Sequence, residues 1–180
     1  LEEIKLRKFA HPAAEQGEDL QSGSLQADPF GVITVTASPA GVVEVFFGRR
    51  EENDPAVADA SARGWVQAAL QQLEEYLQGR RKEFDLPVDG RLFTPFQHRA
   101  LPLVQAIPFG EVRTYGQLAA SLGMPGGSRA VGGANARNPL PILIPCHRVV
   151  GSTRHLHGYS APGRLGWKAW LLEHEGVRVS

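Results

Sequence analysis

Residues 114–136 read TYGQLAASLGMPGGSRAVGGANA. Thr114 to Leu122 reads as a short helix, with Leu118, Ala119 and Leu122 on one side. Gly123-Met124-Pro125-Gly126-Gly127 is a turn. Ser128 is then placed to cap a second helix running from 129 to about 136. Short helix, glycine turn and short helix make the helix-turn-helix pattern. The second helix consists almost wholly of small residues, with Gly132 and Gly133 at its centre. Each glycine costs roughly 1 kcal/mol against alanine. Close packing on a neighbouring helix is one reading. Close approach to a DNA backbone and groove is the other. Readers of base edges carry long polar side chains at these positions, and this helix offers Arg129 and little else. Little sequence readout is therefore expected.

Upstream, Thr94-Pro95 opens a helix over 96–107, with Thr as N-cap and Pro at the first helical position. Pro102 is expected to kink or interrupt it. Farther back, Val66, Ala69, Leu70, Leu73, Tyr76 and Leu77 lie on one helical face, and Gly79 ends that helix. Val32-Ile33-Thr34-Val35-Thr36 and Val42-Val43-Glu44-Val45-Phe46-Phe47 flank a Pro/Gly turn and read as a hairpin. The alternation Phe84-Leu86-Val88 predicts a third short strand. Residues 1–28 read as a short strand at most, with a loop or disorder around 15–23. The chain is thus an α+β protein. A small antiparallel sheet with a packed helix occupies 1–90, and a mostly helical half occupies 91–180.

Downstream lies the densest chemistry: Asn138-Pro139-Leu140-Pro141-Ile142-Leu143-Ile144-Pro145-Cys146-His147-Arg148-Val149-Val150. The run 142–144 reads as a buried strand leading into Cys146. A thiol attacks as thiolate, and a neighbouring His or a positive field, here expected from Arg148 and the basic half, favours that form. Adjacent residues on a regular strand face opposite ways, so direct contact between Cys146 and His147 needs a break, which Pro145 can supply, or a bridging water. A buried cysteine is more often inert. Asn138 before a proline can be a plain turn residue, Tyr115 half-buried packing, and Glu175 a solvated helix-end charge.

The chain has 180 residues and one cysteine, which excludes an internal disulfide and a multi-cysteine zinc site. A reducing, intracellular setting is expected. No apolar run of about eighteen residues occurs, and the start, which lacks a long apolar stretch, is not expected to be a secretory signal. Nineteen basic residues balance nineteen acidic ones. The balance hides a split. Residues 1–90 hold nine basic against sixteen acidic, net −7, and 91–180 hold ten against three, net +7. Such asymmetry points to nucleic acid meeting the C-terminal half.

Pro145-Cys146-His147-Arg148-Val149 is similar to the active-site motif of the O6-alkylguanine-DNA alkyltransferases. Pro108-Phe109-Gly110-Glu111-Val112, Thr114-Tyr115, Arg129-Ala130-Val131-Gly132, Asn138-Pro139, Gly158-Tyr159 and Leu171-Leu172 through Glu175-Gly176 follow the family's order. The resemblance is strong over roughly 91–178 and general over 30–90. It implies a ribonuclease H-like N-terminal domain and a winged-helix-like C-terminal domain. It also implies a repair protein that flips an alkylated guanine from the duplex and moves the alkyl group irreversibly onto its own cysteine.

Residue by residue, Cys146 resembles the acceptor, and His147 the group that takes its proton through a water. Glu175 resembles the acid that holds His147. Asn138 matches the residue joining the helix-turn-helix to the active-site loop, and Tyr115 the donor to the leaving guanine at N3. Val149, Tyr159, Ser160 and Pro141 match substrate-pocket positions. The carbonyls of Cys146 and Val149 match acceptors for the guanine amino group. Arg129 matches the finger that fills the gap left by the flipped base. Thr114, Ser128, Ala130, Gly132, Arg137 and Ser152 match DNA-contact positions.

The resemblance implies double-stranded DNA as partner, met in the minor groove and largely without regard to sequence. No cofactor and no metal are expected, since the zinc-binding cysteines of some relatives have no counterpart. A monomer in the cytoplasm is expected, on the nucleoid in a bacterium or in the nucleus of a eukaryote. One departure is a stretch between Tyr159 and Glu175 about two residues longer than the common spacing, through Ser160-Ala161-Pro162-Gly163-Arg164. Three rivals remain: a silent alkyltransferase-like damage sensor, a small cysteine hydrolase built on Cys146, His147 and Glu175, and a helix-turn-helix regulator.

Overall fold

The structure is a computed structural model that describes residues 19–50, 59–152 and 164–178. These residues divide into two compact units, one ending at Phe93 and the other beginning at Thr94.

In the first unit, β1 (Gln21–Ala27), β2 (Gly31–Ser38) and β3 (Gly41–Phe47) form an antiparallel sheet in that order. Helix α1 (Ala60–Leu77) packs on it. Ile33, Val35 and Ala37 alternate along β2 and are completely buried. The helix answers with Ala62, Val66, Ala69, Leu73 and Tyr76, the apolar stripe expected of an amphipathic helix. Its N-cap is Asp59, whose carboxylate accepts from the amides of Ser61 and Ala62.

The third strand is β1, not residues 84–88. Val42 and Val88 form a single parallel bridge. Pro87 has no amide hydrogen to extend that bridge into a ladder. β1 escaped the reading because it is polar. Its stabilisation is cross-strand instead: Ser22 Oγ lies 2.9 Å from Thr36 Oγ1, and Ser24 Oγ lies 3.0 Å from Thr34 Oγ1.

In the second unit, α2 (Pro95–Gln105) starts from a capping box in which Thr94 and Gln97 satisfy each other's amides. Pro102 sits inside α2 without ending it, and the helix stops one residue before Ala106. β4 (Arg113–Thr114) pairs in parallel with β5 (Val149–Val150). α3 (Tyr115–Ser121) starts from a second capping box, Thr114 with Gln117. α4 (Ser128–Ala136) follows, and α5 (Arg164–His174) closes the described chain. Ser128 is not the cap: Gly127 holds that position, no side chain caps the helix, and Ser128 is its first residue. α2, α3 and α4 pack together, which makes the helix-turn-helix. Among the described residues no helix is long and apolar enough to cross a membrane.

Candidate active site

The run 142–144 is not a strand. Pro139, Pro141 and Pro145 flank it and cannot donate to a ladder, and the chain winds through turns. Asn138 organises them. Its Nδ2 donates to the carbonyl of Ile144 (2.8 Å), and its Oδ1 accepts from the amide of Leu140 (3.0 Å). Ile144 N also donates to Leu140 O at 2.8 Å. Ile142 is forced to φ 72°, a conformation that a β-branched residue adopts only at a cost of about 1–3 kcal/mol. Asn138 thus does more than end a helix. It pins the loop that delivers Cys146.

Cys146 opens a 3-10 turn, Cys146–Arg148, directly after Pro145. The turn breaks strand alternation, so Cys146, His147 and Arg148 are all buried. His147 Nε2 lies 2.8 Å from Glu175 Oε1. A carboxylate only accepts, so Nε2 carries the hydrogen and Nδ1 presents a lone pair. Nδ1 is buried and meets no protein partner. Burial lowers the basicity of His147, and the Arg148 and Lys168 charges add to that, against the pull of Glu175. The imidazole is therefore a neutral acceptor at neutral pH.

Glu175 carries more than the histidine. Arg148 Nε donates to its Oε2 (2.8 Å), Arg148 Nη2 to its Oε1 (2.9 Å), and Gly110 N to its Oε2 (3.3 Å). Arg148 Nη1 reaches the carbonyl of Ile107 at 2.6 Å. The bidentate pair fixes both the position and the charge of the carboxylate. Read from sequence, Arg148 was a general source of positive field. In the fold it is a buried clamp.

Lys168 was missed by the sequence reading. It projects from α5, is 1% exposed, and its Nζ donates to Val149 O at 2.6 Å. The ammonium lies 5.9 Å from the Tyr115 ring centre. Burial pushes its pKa down to about 8, with the charge of Cys146 acting the other way. Its place three residues after Leu165, three before Leu171 and four before Leu172 was the available clue: a lysine at apolar spacing.

Tyr115 is half-buried at the first position of α3. Burial raises its pKa, the charge of Cys146 adds to that, and Asn135 opposes both. Its ring lies against Gly132, where an added Cβ would stand 3.9 Å from Cε1. α4 exposes Arg129, Ala130, Ala136 and, beyond its end, Arg137, while Val131, Ala134 and Asn135 face inward. Arg137 O and Ala134 O both accept from Gln97 Nε2 (2.9 and 3.2 Å), which ties the end of α4 to α2. Thr114 spends its hydroxyl on the capping box, and Ser128 Oγ lies near it across Gly116. Val149 is buried, Pro141 half-buried and Ser152 exposed. Tyr159 and Ser160 lie outside the described residues, as does most of the longer stretch at 160–164. Among the described residues no group of three or more His, Cys, Asp or Glu could hold a metal ion.

Two family models match the chain. The DNA-binding domain of 6-O-methylguanine DNA methyltransferase covers residues 95–177, and the ribonuclease-like domain of the same family covers 24–90. The constitutive methylated-DNA–protein-cysteine methyltransferase of Bacillus subtilis is 48% identical over 61% of this chain and 65% of its own length. The match therefore spans just under two thirds of that relative. The methylated-DNA–protein-cysteine methyltransferase of Mycobacterium bovis is 44% identical over 64% of this chain and 68% of its own. The crystal structure of Mycobacterium tuberculosis O6-methylguanine methyltransferase superposes with a TM-score of 0.72 at 34% identity, over 87% of this chain and 92% of that one. The same organism's OGT in complex with DNA gives 0.69 at 33% identity, over 86% and 91%.

Proposed function

Because the chain belongs to the 6-O-methylguanine DNA methyltransferase family, we propose that it repairs DNA by moving the alkyl group of O6-alkylguanine onto Cys146. The observation that carries this is the Cys146 turn backed by His147, Glu175 and Arg148. His147 Nδ1 is the acceptor for the thiol proton, through a water. The sulfur attacks the alkyl carbon, an S–C bond forms, and the C–O6 bond breaks with its electron pair leaving on guanine. Guanine takes a proton at N3 from the Tyr115 hydroxyl, and the proton held by His147 restores the balance through solvent. Nothing in the chemistry regenerates the thiol from the thioether, so each molecule acts once.

The histidine must stay neutral to accept, and its burial does that. The carboxylate behind it must stay ionised to hold the tautomer, and Arg148 does that. O6 is out of reach inside a duplex, so the base is flipped. The exposed small-residue face of α4, with Arg129 at its start, suits a minor groove read without sequence preference, and Arg129 fills the vacated stack. Residues 91–180 carry the chemistry and the DNA contact in this reading, and 1–90 support them. Val149 and Pro141 line the base pocket with Tyr159 and Ser160. Thr114, Ser128, Ala130, Gly132, Arg137 and Ser152 meet the DNA. The protein acts as a monomer in the compartment that holds the DNA.

The test is intact-protein mass spectrometry after incubation with duplexes carrying O6-methylguanine. One methyl group is expected on the Cys146 peptide, and none on Cys146→Ser, which should still bind DNA. Binding by the wild type with no mass gain would overturn the reading in favour of a damage sensor.

A further inference from the structure

Asn135 is 7% exposed, and neither its Nδ2 nor its Oδ1 meets a hydrogen-bond partner in the protein. A buried amide left this way costs about 1–3 kcal/mol for each unsatisfied group. A leucine of similar size would avoid that cost. The side chain is therefore held against a stability gradient, which directs attention to what it faces. It stands on α4 three residues after Gly132, on the same helical face. Gly132 is where the Tyr115 ring lies against the helix. The Asn135 side chain lies within reach of the Tyr115 hydroxyl and favours release of its proton, yet it stands outside hydrogen-bond geometry.

We propose that Asn135 is a positioning residue for Tyr115: its amide N–H closes onto the phenolic oxygen when the purine fills the site, leaving the hydroxyl hydrogen directed at the leaving base. This rests on the transfer reaction described above. A phenolic oxygen has one hydrogen to donate and lone pairs to accept with. A bond received from Asn135 occupies a lone pair and stabilises the negative charge that grows as the proton leaves. That help is needed, because burial and the Cys146 charge both oppose release of the proton. The open geometry of the resting state is ordinary for such a contact. Catalytic hydrogen bonds are often long or misaligned until the substrate is bound.

The experiment is single-turnover methyl transfer from O6-methylguanine duplex by the wild type, Asn135→Leu, Tyr115→Phe and the double variant, with melting midpoints for all four. Asn135→Leu is expected to slow transfer about five- to tenfold, the worth of one hydrogen bond. Its melting midpoint should match or exceed that of the wild type, because an unpartnered amide has been removed. In the Tyr115→Phe background the same substitution should cost nothing further. An unchanged rate in Asn135→Leu overturns the proposal. So does an equal loss in both backgrounds, or a loss that follows a fall in the melting midpoint, since either marks a structural role. A wild type that transfers nothing overturns the transfer reading itself, which separates the two failures.

Discussion

In the first unit Asp89 is fully buried, and its carboxylate is spoken for on both oxygens. Oδ2 accepts from Ser38 Oγ (2.6 Å) and Arg91 Nε (2.7 Å), and Oδ1 accepts from Arg91 N (3.0 Å). Arg91 in turn holds Asp19 through two bonds of 3.2 Å. The second unit buries His147, Arg148, Lys168 and Glu175. There Glu175 is as fully matched as Asp89, yet the cluster stays open at one end, since His147 Nδ1 has no protein partner. Both clusters pay the desolvation cost of buried charge. The closed one fixes the segment after α1 against Ser38 at the end of β2. The open one keeps a buried lone pair on His147 available. Buried charge alone does not mark a reactive site; a matched network with an unmatched end does.

The largest expected effect compares the two clusters directly. Glu175→Gln leaves the buried Arg148 without its counter-charge and should cost about 3–5 kcal/mol in denaturant unfolding, whereas Asp89→Asn should cost less, because Arg91 is half-buried and keeps Asp19. Only Glu175→Gln should also slow methyl transfer by the folded protein, on the order of a hundredfold, because His147 loses its tautomer. Similar transfer losses in both variants would erase the distinction drawn here.

Next in size is Arg129→Ala, which probes the exposed side of the second unit and not its buried cluster. Transfer from duplex should fall roughly ten- to a hundredfold, the unstacking cost left unmet. Reaction with O6-benzylguanine as the base alone should hardly change. Equal losses on both substrates would move Arg129 from the wedge to the chemistry.

The smallest effect concerns Lys168. Its pKa is pushed from 10.5 down to about 8 in the fold, so the unfolded chain binds this proton more tightly. Stability from this group therefore rises as pH climbs from about 8 to about 10.5 and is level below that window. Lys168→Met should be more stable than the wild type by about 1–2 kcal/mol at pH 7, with the lost bond to Val149 O reducing the gain. The difference should shrink across the same window in melting curves. A pH-independent difference would mean that the ammonium is not paying for its burial.

What was legible in the sequence was what local chemistry decides. Thr94 before Pro95 announces a helix start because a capping bond spans three residues and needs nothing else, whereas Thr114, read as the first residue of its helix, is that helix's cap. The face of α1 was legible because one side of a helix repeats every three or four residues. Failures came where a partner distant in sequence overrules the local pattern. β1 is a strand because Thr34 and Thr36 receive its serines. The apolar run 142–144 is a set of turns because prolines and Asn138 govern its backbone. Ser128 lost its cap position to Gly127, since the preceding glycine turn set the helix start one residue earlier.

The sequence by itself determined where the proposed acceptor Cys146 and its histidine neighbour stand and that two short helices follow from Thr114, because each is a matter of order along the chain. The family resemblance extended that to Glu175. Only the tertiary structure decided that Arg148 is a clamp, that Lys168 is buried and that the Asn135 amide is left open toward Tyr115. The physical reason is range. His147 meets a carboxylate 28 residues away, and Arg148 a carbonyl 41 residues away. Whether a charged side chain is solvated or buried, and which of its atoms stay unmatched, is set by contacts that no local pattern in the chain contains.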